Sequence, residues 1–228
     1  MFWLVGDMAA AAKSKCIGLL LLAMVVGGTH GQTVPTTVNI DERVKEKFDD
    51  EVGDAAVILE LASIFVWVGF AQVWPTGTKD VRDIVLNVEN IDSVTLVRGN
   101  VIFLDSDYID SYEGDLKKEV TGILYQAVTD IWQWDANGAA PKWWREGVSN
   151  YIRLIAGYAP ANFAQPGSGD SWEQGGDVTA RFIQYVNTIT PGFVGLVNAK
   201  IKTSWDIGYF KDITGKSVDD LWKDYKAQ

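Results

Sequence analysis

Residues 121–134 read Thr-Gly-Ile-Leu-Tyr-Gln-Ala-Val-Thr-Asp-Ile-Trp-Gln-Trp, and the spacing of apolar side chains around them decides the fold. Apolar residues recur every three or four positions, at Leu116, Val120, Ile123, Ala127, Ile131 and Trp134. This period places them on one face of a helix. Polar residues occupy a neighbouring stripe, at Glu119, Gln126, Asp130 and Gln133. The sequence predicts a helix over 115–134, ended by the turn residues 135–138.

The flanking segments combine further helices with short strands. Pro141 is typical of a first helical position, and we expect a helix from there to about Ala156. Three more helices are predicted over 177–188, 192–202 and 217–226. Strands are predicted over 36–40, 81–88, 94–97 and 101–104, the last two forming a hairpin around Arg98-Gly99-Asn100. Strands and long helices in one domain indicate an α+β fold.

One more long helix is predicted over 49–73. Its second half, 58–71, is apolar on nearly every face, which favours burial on most sides. A membrane span is the alternative, but the stretch is short and Glu60 interrupts it. We therefore favour a core helix.

The N-terminus has the pattern of a secretory signal peptide. Lys13 and Lys15 precede an apolar run over 16–28, and Thr29 and Gly31 are small residues at the −3 and −1 positions of a cut after residue 31. The alternative is an uncleaved anchor, lengthened by the apolar residues 2–5. With cleavage, residues 1–31 are the signal and 32–228 form the mature domain, secreted to the extracellular space.

Cleavage would remove the only Cys and the only His of the chain, Cys16 and His30. The mature domain could then form no disulfide and no Ser-His-Asp triad, and it could offer no imidazole or thiolate to zinc. It would keep 18 basic and 29 acidic residues, a net charge of −11. That charge argues against nucleic acid and anionic membrane surfaces as partners.

From Asp115 onward the chain closely resembles the plant basic secretory protein family, the peptidases of plants and bacteria. The matching stretches are 121–125, 131–134, 146–147, 151–154, 156–160, 177–182 and 221–227. Residues 41–110 match more loosely. The resemblance implies a zincin-like fold, with a small sheet over a metal-binding helix and a helical half after it. It also implies zinc as the family's cofactor.

The metal-binding motif of this family is degenerate here. The resemblance implies H-E-x-x-H after Leu-Tyr, in which two His hold zinc and the Glu takes a proton from its water. This chain reads Gln126-Ala127-Val128-Thr129-Asp130 instead, so Ala127 occupies the general-base position. Glu146 remains at the implied third-ligand position, and Asn150 replaces an implied Asp. We expect no cofactor and no metal at Gln126, Asp130 and Glu146.

Other departures fall near the same implied cleft. Trp143 and Trp144 stand where the family has smaller residues, and Gly176 stands where it often has Tyr. Together with Asn150 they are candidates for lining the cleft, although the two tryptophans could equally plug it. We expect Trp132, Trp134, Tyr125 and Tyr151 to be structural, and Arg181 to hold a buried ion pair.

Asp130 and Glu146 allow two interpretations. They could form an oxygen site for Ca²⁺ or Mg²⁺, but two carboxylates are few for either ion. The simpler expectation is a solvated or salt-bridged pair, with Arg145 or Arg153 as the partner. We expect a secreted, catalytically inactive homologue that binds a peptide or protein without cutting it. The alternatives are a hydrolase with a non-standard metal or with Asp130 and Glu146 as acid and base, and a folded relic without a ligand.

Overall fold

The computed structural model describes residues 34–72 and 77–228, and the predicted signal segment lies outside these ranges. Its sheet has four strands in the order β1-β2-β4-β3. They are β1 (Thr36–Ile40), β2 (Ile84–Glu89), β3 (Thr95–Arg98) and β4 (Val101–Asp105). β2 pairs in parallel with β1 and with β4, whereas β3 runs antiparallel to β4. The mixed sheet therefore presents the antiparallel strand β3 at one edge.

The helices of the described ranges are α1 (Glu42–Glu51), α2 (Ala55–Gly69), α3 (Ser106–Ser111), α4 (Leu116–Trp132), α5 (Lys142–Ile155), α6 (Gly176–Ile189), α7 (Phe193–Lys200), α8 (Tyr209–Thr214) and α9 (Val218–Lys226). A short 3₁₀ turn lies at Trp172–Gln174. Sheet and helices share one core, which confirms the α+β prediction. The long helices begin and end within two residues of their predicted bounds, except in the segment before β2.

The hairpin β3–β4 has the predicted turn. Gly99 adopts a φ of +63°, a conformation that suits glycine, and Val97 lies opposite Ile102 in the register. β2 starts at Ile84, three residues later than predicted, and its alternation buries Ile84, Leu86 and Val88 on the core face. This alternation is what the pleat of a strand with one covered face produces.

The prediction of one helix over 49–73 is wrong, because the chain breaks after Val52. Gly53 has a φ of +87°, and the Asp54 carboxylate caps a new helix by accepting from Ala56 N at 2.9 Å. The resulting helices, α1 and α2, meet at a 63° bend. A glycine that ends one helix and an Asp that caps the next together explain the break.

Burial of α2 is also narrower than predicted. Leu59, Ala62 and Val66 are fully buried, but Val57 and Val68 are 48% and 52% exposed. No single helix of the described ranges is both long and apolar enough to cross a membrane, although α1 and α2 meet those criteria when taken together across their bend.

α4 is the central helix, and most of its surface is covered. It packs against α2, α5 and β3, and Trp132 donates from Nε1 to Ser63 Oγ of α2 at 3.1 Å. Asp115 caps its first turn by accepting from Lys118 N. This position, between the sheet edge and the C-terminal helices, brings the degenerate motif against α5.

The helical half is built around α5 and α6, which approach closely at Gly147. A Cβ on Gly147 would lie 2.4 Å from Cγ2 of Thr179, so only glycine allows this contact. Trp144 of α5 is 1% exposed and packs edge-on against Phe193 and Phe210. These contacts fix the position of the first turn of α5 along α4.

Candidate functional site

Polar side chains of α4 and α5 meet in a continuous row that we call the α4–α5 seam. Its members are Glu119, Gln126 and Asp130 on α4, Gln133 at the C-cap of α4, and Ser149 and Arg153 on α5. The first four residues are the polar stripe predicted from the sequence. The two outer positions of the degenerate motif therefore face α5, as the spacing of four residues requires.

One end of the seam is closed by Arg153. Its Nη2 lies 2.7 Å from Glu119 Oε2, its Nη1 donates to Gln126 Oε1 at 2.8 Å, and its Nε donates to the Tyr158 carbonyl at 2.8 Å. The ion pair is buried, with the two side chains 8% and 14% exposed. The Tyr108 hydroxyl donates to Glu119 at 3.2 Å, and burial raises the Tyr108 pKa to about 12. The Arg153 guanidinium and the Glu119 carboxylate thus both have fixed partners at this end.

Gly122 makes room for this arrangement. A Cβ at this position would lie 2.5 Å from Arg153 Nε and 2.8 Å from the Tyr158 carbonyl oxygen. A side chain here would displace the guanidinium from between Glu119 and Gln126. The glycine is therefore part of the seam, even though it contributes no polar group.

The other end of the seam is formed by Asp130. The Ser149 hydroxyl hydrogen-bonds to Asp130 Oδ1, and Gln133 Nε2 donates to the same oxygen at 2.7 Å. Asp130 keeps an exposed surface, while protein atoms crowd its carboxyl. Burial of the carboxyl raises its pKa to about 6, against the opposing effects of these two hydrogen bonds and of the Arg145 charge. This end of the seam can therefore titrate near neutral pH.

Asp130 also opens onto a surface cleft of about 370 Å³. The cleft is bounded by the segment before β2, the β3–β4 hairpin, the end of α4 and the first turn of α5. Its lining residues are Lys79, Val97, Gly99, Asp130, Asp135, Lys142, Arg145 and Glu146. The structure thus brings the predicted pair Asp130 and Glu146 to one cleft, and it places Gln126 in the seam instead.

Charges of both signs line this cleft. Lys142 Nζ lies 3.3 Å from Glu146 Oε1, an exposed pair within one helix. Lys79 donates to the Gln133 carbonyl at 2.9 Å, and burial lowers its pKa against the opposing charges of Asp135 and Asp130. The predicted ion pair with Arg145 or Arg153 is not formed, because Glu146 pairs with Lys142 and Arg153 pairs with Glu119.

The four predicted cleft-lining residues lie in α5 and at the start of α6. Trp144 is a core residue. Trp143 is half-buried and packs edge-on against Trp172, with ring centroids 4.9 Å apart. Asn150 donates from its side chain to the Glu146 carbonyl at 2.9 Å, and Gly176 begins α6 with a φ of +53°. Their role in lining the cleft that the family resemblance implies stays a prediction.

The expected structural residues give a mixed outcome. Trp132, Tyr125 and Tyr151 are buried and Trp134 is partly buried, as predicted. The predicted ion pair of Arg181 is wrong. Its guanidinium donates instead to the Ala164 carbonyl at 2.7 Å and to Gln184 Oε1 at 3.0 Å.

The donor set at the motif does not fit zinc. Gln126 Oε1 already accepts from the cationic Arg153, and Asp130 Oδ1 already accepts two hydrogen bonds. Within the described ranges no three His, Cys, Asp or Glu side chains lie close enough together to hold a metal ion. Ala127, at the general-base position, is 2% exposed and carries no group that can move a proton.

Sequence reasoning missed Lys79 and the hairpin wall of the cleft. Lys79 lies 51 positions before Asp130 in the chain, and no local pattern marks it as a neighbour. Ser149 was missed as the partner of Asp130, although it faces α4 from the same helix as Glu146. A small hydroxyl residue gives no signal of its own in a helical pattern.

The motif helix α4 lies beside the mixed sheet, and the next helix, α5, carries Glu146. The sequence model of the family described as BSP, peptidase of plants and bacteria, matches residues 36–225, and the chain belongs to this family. This confirms the resemblance seen in the sequence.

A basic secretory protease of Boswellia serrata is 36% identical to this chain over 56 residues. The match covers 25% of this chain and 62% of that relative, which is less than two thirds of the relative's length. No solved structure matches the fold. The zincin-like assignment therefore remains a prediction.

Proposed function

We propose that this protein is a secreted, non-catalytic member of the peptidase family that binds a peptide in the cleft beside Asp130. The α4–α5 seam carries this proposal. The positions at which the family resemblance implies zinc ligands hydrogen-bond to protein groups instead, so the helix face serves to hold α5.

Loss of catalysis follows from the chemistry of two positions. A general base contributes about 10²–10⁴-fold to hydrolysis, and Ala127 cannot act as one. At position 126, the Arg153 guanidinium repels any cation that would approach the amide oxygen. The family's reaction would need a metal and a base at these two places.

Peptide binding is supported by the sheet edge next to the cleft. In the described ranges β3 pairs only with β4, and its residue Val97 and the following Gly99 line the cleft. An edge strand can receive an extended peptide through main-chain hydrogen bonds. A volume of about 370 Å³ lies within the range of small-molecule pockets, about 300–1,000 Å³.

Secretion is supported by the sequence pattern at residues 1–31 and by the name of the Boswellia serrata relative, which describes a secretory protein. Expression of the full chain with a C-terminal tag tests this point. We expect the tagged protein in the medium, starting near residue 32. Tagged protein that stays with the membrane fraction would contradict it.

The test of function compares binding with cleavage on the same peptides. The mature chain is incubated with a random peptide pool, and bound and cleaved products are both measured by mass spectrometry. We expect retention of intact peptides and no new termini. Cleavage that a chelator abolishes would contradict the proposal.

A second candidate is a metal-independent hydrolase with Asp130 as the titrating group. The observation that favours it is the Asp130 pKa of about 6 in a cleft shared with Glu146, because acid–base groups work best near the operating pH. It requires cleavage that survives chelation and is lost in Asp130→Asn. Cleavage unchanged in that variant would eliminate it.

A further inference from the structure

We propose that the cleft binds the C-terminal carboxylate of a peptide through the Arg145 guanidinium and the Lys79 ammonium, and that binding strengthens in acid. The inference rests on the proposed function, and it specifies which part of the peptide the cleft holds.

Two cations of the cleft have hydrogen-bond donors that are free to bind a ligand. In the part of the chain that the structure describes, the Arg145 guanidinium has no hydrogen-bond or ion-pair partner, although Arg145 lines the cleft. A guanidinium offers a planar fork of N–H donors that matches a carboxylate. Lys79 uses one donor on the Gln133 carbonyl and lies 5.8 Å from the centre of the Trp134 ring, and its other N–H groups make no further hydrogen bond within the described residues. Both cations face the same small volume.

Three acidic side chains share the cleft with these cations. Glu146 is paired with Lys142, and Asp130 Oδ1 accepts from Ser149 and Gln133. Asp135 and Asp130 both interact electrostatically with Lys79, so both acids compete with a ligand for that ammonium. The cleft is lined by three cations and three acids, and of the cations the Arg145 guanidinium alone has no hydrogen bond or ion pair within the described residues, so its donor fork is available to an anionic ligand.

The first turn of α5 adds to this preference. Lys142 and Arg145 from this turn line the cleft. The positive end of the helix dipole stabilises nearby negative charge. This effect adds to the attraction that the two cations exert on an anionic ligand.

The acid dependence follows from the place of Asp130 beside both cations. Its ionised carboxylate attracts Arg145 and Lys79 and repels a ligand carboxylate; its protonated form does neither. Burial sets its pKa near 6, so the change falls in the mildly acidic range. The charged groups around it are Lys142, Arg145 and Glu146 from α5, Asp135 from the turn and Lys79 from the segment before β2; the hairpin contributes only Val97 and Gly99.

The test uses two pools of N-terminally labelled random peptides, one with a free C-terminal carboxylate and one amidated. Fluorescence anisotropy measures their Kd for the mature chain at about pH 5 and about pH 7.5, on either side of the expected titration. We expect the free-carboxylate pool to bind about 10-fold more tightly at the lower pH, and the amidated pool to bind weakly at both, because a charge-assisted contact is lost.

Matched variants locate the effect. Arg145→Gln and Lys79→Gln should each weaken binding of the free-carboxylate pool by about 5- to 10-fold, because each removes one cation beside the ligand. Lys211→Gln, an exposed Lys outside the cleft, is the control and should change nothing. Asp130→Asn should give tight binding at both pH values.

The outcomes separate the two proposals. Equal binding of the amidated and free pools, with no effect of Arg145→Gln, would overturn the carboxylate assignment while peptide binding itself stands. Failure of both pools to bind at either pH would overturn the proposed function together with this inference. A pH dependence that persists in Asp130→Asn would overturn the acid dependence.

Discussion

The two ends of the α4–α5 seam start from equivalent positions and reach opposite states. Gln126 and Asp130 are one helical turn apart on the same face of α4. Gln126 meets the long Arg153 side chain, which binds Glu119 and fills the space between the helices. Asp130 hydrogen-bonds to the small Ser149 of α5 and to Gln133, and a cleft remains open beside it. The hydrogen-bonding partner that α5 supplies is therefore long at the closed end and short at the open end.

The two ends of the seam are also expected to differ in role, one in stability and the other in ligand binding. The closed end has buried ions with fixed partners, so it is expected to contribute to stability. The open end keeps a titrating acid among partly committed charges, which suits a ligand site. The following predictions test the two ends in order of expected effect.

Replacing Arg153 with Met should have the largest effect. The Glu119 carboxylate would be left buried without its cation, which typically costs about 3–5 kcal/mol. Urea denaturation of the mature chain measures the loss in free energy of unfolding. The double variant Arg153→Met with Glu119→Gln should recover part of it. A loss below about 1 kcal/mol in the single variant would show that the closed end is not a stabilising element.

Gly122→Ala should have the next largest effect on the free energy of unfolding. The new methyl group would lie 2.5 Å from Arg153 Nε, so the guanidinium has to move, and overpacking of this kind costs about 1–3 kcal/mol. The same denaturation measurement applies. Gly138→Ala is a useful control for the loss of glycine alone, because a Cβ there meets nothing within 4 Å, although its φ of +87° carries its own backbone strain. A Gly122→Ala variant as stable as the wild type would contradict a specific role for Gly122.

At the open end, Asp130→Asn should change the pH dependence of stability. The folded-state pKa of about 6 lies above the ordinary value of 3.8, so the folded protein binds more protons between these two values. Its contribution to stability is therefore greatest in acid and is lost as pH rises through about 6. Because water screens the exposed side of the carboxyl, we expect a loss of about 1 kcal/mol or less.

The measurement is the urea midpoint as a function of pH for the wild type and for Asp130→Asn. The variant should show a flatter profile between about pH 4 and pH 7 and should be the more stable protein at the upper end. Parallel profiles would mean that Asp130 does not titrate in this range.

The smallest effect is expected for Lys142→Ala. Its partner Glu146 lies four residues further along the helix, and the two side chains are 80% and 46% exposed. Exposed pairs of this spacing contribute about 0.3–0.5 kcal/mol. Thermal unfolding at low and high salt would show a difference that shrinks as salt is added. A loss comparable to that of Arg153→Met would contradict the contrast between the two ends.

The sequence was sufficient for the long helices from α4 onward and for which residues of the motif share one helix face, because both depend on the local spacing of apolar residues. The apolar spacing of α4 predicted its bounds, and the same count placed Gln126 and Asp130 on one face. The hairpin followed from Gly99. The break between α1 and α2 could have been found too, since Gly53 before Asp54 is typical of a helix end followed by an N-cap.

The partners across the seam could not be predicted in this way. Whether Arg153 meets Glu119 or Asp130 depends on how α5 crosses α4, and that crossing is set by contacts such as Gly147 against Thr179 in another part of the chain. The sequence likewise could not decide whether Trp144 lines or fills a cleft, because its neighbours Phe193 and Phe210 lie far along the chain. The short helices α3 and α8 have only six residues each, too few for a periodic signal.

The central claim is that side-chain hydrogen bonds occupy the helix face on which the family resemblance implies a metal. The most direct test is the zinc content of the dialysed, unaltered mature chain by plasma mass spectrometry, beside the triple variant Gln126→His, Ala127→Glu and Asp130→His. We predict far less than one zinc per unaltered chain and a gain of zinc in the triple variant. One zinc per unaltered chain that survives dialysis, and is lost in Asp130→Asn, would contradict the account.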